Sequence, residues 1–150
     1  MRSPYQLTVI ILMNLWKAGA NDAGHIVAGF YNSDYRSVSS MTPQHDANPA
    51  RTTELKKLLT LLNDGGSNLK QTTASFPFTV YEPDDWRGLL KGMKSFSFIN
   101  CQNVSARQMR LFGAKIHEIC FYKVSADEPR YVSFALDADG KVAYIEPYEY

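Results

Sequence analysis

Arg130-Tyr-Val-Ser-Phe-Ala-Leu136 runs through Asp137-Ala-Asp-Gly140 into Lys141-Val-Ala-Tyr-Ile-Glu-Pro147, and the reading of this stretch decides the fold. Val132, Phe134 and Leu136 alternate with Tyr131, Ser133 and Ala135, so one row can face a core while the other faces away, as in a half-buried strand. Asp139-Gly140 between two such runs predicts a hairpin closed by a type I′ turn, which needs positive φ at both central residues. Working back, Ala114-Lys-Ile-His-Glu-Ile-Cys-Phe-Tyr-Lys-Val124 and Lys94-Ser-Phe-Ser-Phe-Ile-Asn-Cys101 read as two further strands. Leu89 to Tyr150 is then one curved antiparallel sheet.

Upstream the period changes. Leu55, Leu58, Leu59 and Leu62 recur at i, i+3, i+4 and i+7, which predicts a helix opened by Thr52 or Thr53 and stopped at Asn63-Asp-Gly-Gly66. A helix over Asp22 to Tyr35 is read from Ile26, Val27, Phe30 and Tyr31. A short third one follows Pro83-Asp84-Asp85, with Trp86, Leu89, Leu90 and Met93 on one face. Ser37 to Pro49 reads as a surface loop, and Ser75 to Tyr81 as an edge strand or irregular piece, because Pro77 has no N–H for a ladder. Helices first and antiparallel strands last is the α+β order. The chain of 150 residues suffices for one domain with its own core, over residues 21–150 if the first twenty are removed.

Composition sets limits on function. Hydrophobic residues make up 45% and charged residues 21%, and the formal net charge of +1 creates no field that would draw the chain to nucleic acid or acidic lipid. Two cysteines, Cys101 and Cys120, lack the CxxC spacing and neighbouring histidines of a zinc site, so neither metal nor cofactor is expected. Residues 1–20 admit two readings. Met1-Arg2, the uncharged apolar run Leu7 to Trp16 and the small residues Ala18-Gly19-Ala20 have the layout of a secretory signal peptide, which would make the protein periplasmic or secreted. Alternatively residues 5–18 are a core helix of a cytoplasmic protein. Apolar residues on every side of the helical wheel favour the signal, and the run is too short to cross a hydrocarbon core of about 30 Å, so no permanent membrane span is expected.

Leu89-Leu-Lys-Gly-Met-Lys-Ser-Phe-Ser-Phe98, Phe112-Gly-Ala-Lys-Ile-His-Glu-Ile-Cys-Phe-Tyr122 and Tyr131-Val-Ser-Phe-Ala-Leu-Asp-Ala-Asp-Gly-Lys-Val-Ala-Tyr-Ile145 together resemble the closing strands of nuclear transport factor 2-like, or SnoaL-like, domains. The resemblance covers residues 85–150 and contains no catalytic signature. It implies a cystatin-like cone, a strongly bent sheet wrapped round helices and enclosing an apolar pocket. That family includes isomerases, cyclases, dehydratases, transport factors and small secreted modules, so the fold does not carry the function with it.

His117 and Glu118 are adjacent in the predicted strand and face opposite sides of the sheet. Glu118, in phase with Ile116, Cys120 and Tyr122, is the better acid/base candidate, with His117 the other and Tyr122 a hydrogen-bond donor. Each also reads as an ordinary strand residue, solvated or salt-bridged. Trp86, Phe98, Tyr122, Phe134 and Tyr144 are candidates to line an apolar ligand pocket. If the strands about residues 94–104 and 114–124 form a hairpin, Cys101 and Cys120 oppose each other closely enough to bridge. Two separate buried thiols are the other reading. Asp137 and Asp139 are turn residues, since the position twelve on from Asp137 is Tyr148 rather than the Glu of a calcium loop. These residues favour a small exported module that binds an apolar ligand or a protein partner. A cone-fold isomerase or hydro-lyase, and a structural subunit that homodimerises through the sheet, are the alternatives.

Overall fold

The computed structural model describes residues 37–66, 69–77, 89–127 and 129–148, together with Val27. The chain divides into two compact units, residues 1–41 with Tyr150 and residues 42–149. In the first, Val27 is helical, and Val38–Ser40 form one 3-10 turn closed by Met41 N–H on the Val38 carbonyl. The rest of the helix expected over Asp22 to Tyr35, residues 1–20, and Asp84, Asp85 and Trp86 lie outside the described residues.

Among the described residues, the second unit places one long helix, and the helical pair Leu89 and Leu90 from the short helix expected after Asp85, ahead of antiparallel strands, an α+β arrangement. Helix α1 spans Pro49–Asn63. It begins earlier than Thr52, because Asn48 caps it by accepting the Arg51 N–H at 3.1 Å on its side-chain oxygen and Pro49 stands at N1, where its missing N–H costs nothing. It ends as the Gly-Gly pair dictates. Gly65 takes φ 79°, its N–H reaches the Leu62 carbonyl, and Gly66 N–H reaches that of Leu61 at 2.8 Å, the paired closure of a Schellman motif.

The strands are β1 (Ser95–Asn103), β2 (Arg110–Leu111), β3 (Ala114–Lys115), β4 (Glu118–Ser125), β5 (Arg130–Leu136) and β6 (Val142–Tyr148). β1, β4, β5 and β6 form a four-stranded sheet in that order, and β2 with β3 a small separate ribbon. The edge at β6 is partly covered by Gln71–Thr73. Thr72 bridges Val142 in parallel, and Val142 N–H donates to the Gln71 carbonyl at 2.8 Å. Covering an edge in this way removes a template for unwanted pairing. Phe76 and Pro77 of the expected edge strand are not in a strand, and residues 78–81 lie outside the described residues.

Two expectations about the sheet are corrected. The strand predicted over 114–124 is broken, with β3 ending at Lys115 and β4 starting at Glu118. Ile116 consequently packs with Val104, Ala135 and Ala143 rather than in phase with Glu118. The I′ geometry also sits elsewhere. Asp139 has no positive φ while Gly140 has 75°, and Gly140 N–H closes on the Asp137 carbonyl at 3.1 Å with Asp137 N–H on the Lys141 carbonyl at 3.0 Å, the three-residue loop with a glycine bulge. Phe112 and Gly113 instead take φ 48° and 83° between the paired residues Leu111 and Ala114, so the ribbon carries the tight two-residue turn.

One face of the sheet supports the principal core. Leu55, Leu58, Leu59 and Leu62 of α1 pack on Tyr122, Val124, Val132, Phe134, Leu136, Val142 and Ile145. Burying each leucine is worth about 1.5–3 kcal/mol relative to leaving it in water, which fixes the helix across the strands. A bulge at Ile99, between the pairs Phe98↔Tyr122 and Asn100↔Phe121, keeps both Phe98 and Cys101 on the helix side. Bulges of this kind bend the strand that holds them.

Candidate functional site

Polar chemistry gathers where the start of α1 meets the end of β1 and the beginning of β4. The register β1–β4 sets Cys101 opposite Cys120 and Asn103 opposite Glu118, and two-residue alternation puts Glu118, Cys120 and Tyr122 on the helix side of β4. Cys101 and Cys120 are joined, with Sγ atoms 2.06 Å apart and Cα atoms 4.0 Å apart. Cys120 is fully buried, while Cys101 is half-buried.

Arg51, in the first turn of α1, reaches over this bridge. Its Nη1 donates to Glu118 Oε2 at 2.7 Å and its Nη2 to Cys101 Sγ at 3.4 Å. The Arg51 and Glu118 side chains are 29% and 30% exposed, so the pair sits at the rim of the core, partly shielded from solvent. A cation in the first turn opposes the helix dipole, and the Glu118 carboxylate offsets that cost.

A second chain of hydrogen bonds runs alongside. Thr52 Oγ1 lies 2.6 Å from Asp46 Oδ2 and 3.3 Å from the Tyr122 hydroxyl. Thr52 has one hydroxyl proton, and the short contact with a carboxylate has the stronger hold on it. The 3.3 Å contact, in which Thr52 also stands as donor to the Tyr122 oxygen, is the weaker of the two. Burial holds the Tyr122 phenol above its ordinary pKa, with the Thr52 hydrogen bond and the Arg51 charge opposing that rise. Asp46 is itself fixed by the Asn48 N–H, 2.9 Å from Oδ1.

The expected site residues are thus partly assembled and partly dispersed. Glu118 and Tyr122 share a face with the cysteine bridge. His117 is exposed, in the link between β3 and β4 rather than in a strand. Its N–H donates to the Leu136 carbonyl at 2.8 Å. Phe98, Tyr122 and Phe134 share the core, but they fill it. The Tyr122 ring stacks on Phe96 with centroids 4.6 Å apart and meets Phe134 edge-on at 5.5 Å and Phe98 at 5.7 Å. Tyr144 packs on the opposite side of the sheet, with Ala135 and Ala143, so it cannot share a pocket with Tyr122 and Phe134. Trp86 lies outside the described residues.

Arg51, Asp46 and the Thr52 hydroxyl were not apparent as site residues from the sequence. One signal did point to them. An arginine three residues after the Asn48 cap stands where a helix prefers an acid, and such a misplaced charge implies a carboxylate partner elsewhere in the fold. Glu118 is 67 positions away, so nothing local identifies it. Among the described residues, Cys101, Cys120 and Glu118 also form a compact donor cluster, with the two Sγ atoms and a carboxylate oxygen within 4.8 Å of one another. No helix among the described residues is long and apolar enough to cross a membrane. Comparison with family models, curated proteins and solved structures returns no match.

Proposed function

We propose that the chain is an exported, non-catalytic binding module of cone-like α+β fold that works through contact with a protein partner. The observation that carries this reading is that the side chains suited to chemistry, or to holding a small apolar ligand, are already engaged with one another. Glu118 is held by Arg51 at 2.7 Å. Its Oε2 is occupied by the guanidinium rather than presented to a substrate. The Tyr122 oxygen accepts from Thr52 Oγ1 at 3.3 Å, and the aromatic rings that would line a pocket pack against one another. The Cys101–Cys120 bridge supports export, because such bridges persist in oxidising compartments. Phe112 offers an aromatic contact point, since it is 45% exposed at the tip of the β2–β3 ribbon.

The test is the intact mass of the protein recovered from native cell fractions, with and without reduction. The expected species lacks residues 1–20 and gains two hydrogens on reduction. A full-length species with free thiols would overturn export and return residues 5–18 to the core-helix reading.

A further inference from the structure

We propose that the dithiol form of Cys101 and Cys120, together with Glu118, is a binding site for one Zn2+ ion, and that closing the disulfide expels it. The three donor atoms come from two neighbouring strands and lie within 4.8 Å of one another, a spread that small side-chain rotations close onto a single ion. Two sulfurs and one carboxylate oxygen form a set that selects zinc over calcium or magnesium, and three protein ligands leave the fourth tetrahedral position open. The open side is real: Glu118 is 30% exposed and Cys101 is half-buried, whereas Cys120 anchors the site from within.

Charge decides the matter. Two thiolates and the Glu118 carboxylate carry three negative charges, and Arg51 returns only one positive charge. A divalent cation brings the cluster to neutrality, and the partly buried position favours neutrality. Arg51 need not leave. Its Nη1 holds Glu118 Oε2 at 2.7 Å, leaving Oε1 for the ion, and its Nη2 already points at Cys101 Sγ from 3.4 Å. These are the contacts by which an outer residue orients ligands round a metal. Strand register here replaces the CxxC spacing that the sequence lacks.

The exchange balances. Zn2+ displaces the two thiol protons when it binds. When a small-molecule disulfide then oxidises the site, the two cysteine thiolates lose two electrons and form the S–S bond, the small molecule gains those electrons as two thiolates, and Zn2+ is released. The inference concerns the reduced chain and is independent of the export reading. Failure to bind metal would leave the intact-mass result unchanged.

The test uses the full chain, reduced with a phosphine and freed of it under argon, with Co2+ as a spectroscopic probe. One Co2+ per chain should bind, with a thiolate-to-cobalt charge-transfer band and tetrahedral d–d absorption, both removed by added Zn2+. The oxidised chain should show neither. Glu118→Gln and Arg51→Met should each weaken binding by about tenfold to a hundredfold, as loss of a ligand or of its orienting partner does. Circular dichroism accompanies each titration. If the reduced chain has lost its fold, Zn2+ must restore it. A chain that neither binds cobalt with a thiolate band nor refolds with zinc overturns the proposal, as does undiminished binding by the oxidised chain or by Glu118→Gln.

Discussion

At the scale of single residues, Arg51 and Tyr122 each tie α1 to β4, by different physics. The Arg51–Glu118 pair joins residues 67 apart in sequence at the core rim, above the small worth of a fully exposed pair and below the heavy desolvation of a buried one. A double-mutant cycle with Arg51→Met and Glu118→Gln should return a coupling of about 1 kcal/mol in urea unfolding, shrinking as salt is raised. A coupling of zero at low salt would show that the contact is incidental. For Tyr122 the prediction concerns pH. Burial raises its pKa in the folded state, so its contribution to stability is complete below the ordinary phenol value of about 10 and drains away as pH climbs through the folded value. Tyr122→Phe keeps the ring stack on Phe96. It should cost about 1 kcal/mol at neutral pH through the lost hydrogen bond while flattening the alkaline fall in stability. An unchanged alkaline limb would assign that fall to another group.

At the scale of elements, the turns show where strain is accepted. Phe112 holds φ 48°, a conformation that costs a residue with a Cβ about 1–2 kcal/mol, and its ring lies 5.5 Å from that of Tyr144, a contact worth about 0.5–1.5 kcal/mol. The two nearly cancel. Phe112→Asn trades ring contact for a side chain that tolerates this backbone, and should leave stability within about 0.5 kcal/mol of the parent. Phe112→Val loses the ring and tolerates the backbone least, and should fall by about 1–2 kcal/mol in the same denaturation measurement. Equal losses in the two variants would mean that packing alone sets the value. The same turns explain what the sequence could and could not tell. Leu55, Leu58, Leu59 and Leu62 announce α1, and all four are buried, because a 3.6-residue stripe has one physical use. Arg130–Leu136 appears with the bounds its alternation implies. Asp139-Gly140 marks a turn without fixing its type, since one left-handed glycine serves either loop length. The break between Lys115 and Glu118 is illegible, because Ile116 is apolar in either register and its partners Val104 and Ala143 belong to distant segments.

At the scale of the whole sheet, the bridge and the ion pair act at one corner, and that placement decides what reduction does. β1 is the edge of the order β1-β4-β5-β6 and, among the described strands, pairs with β4 alone, with one further backbone bond from Gln44 N–H to the Ile99 carbonyl at 2.7 Å, while β5 has strand partners on both sides. The bridge closes a loop between cysteines 19 positions apart, and the chain-entropy argument gives about 3 kcal/mol for a loop of that size. This is an upper figure, since the strands it joins already pair and their ladder keeps part of the closure. Reduction should therefore lower the urea midpoint by less than the full amount and act unevenly. Amides from Asn100 to Asn103 should exchange markedly faster in the reduced chain, whereas those of Val132 to Leu136, buried on both faces of the sheet, should keep most of their protection, because local opening starts where the fewest contacts must break. Equal loss of protection in β1 and β5 would mean that the bridge holds the entire sheet rather than pinning its edge. The corner would then be a keystone of stability, and the fold could not open its thiols without unfolding.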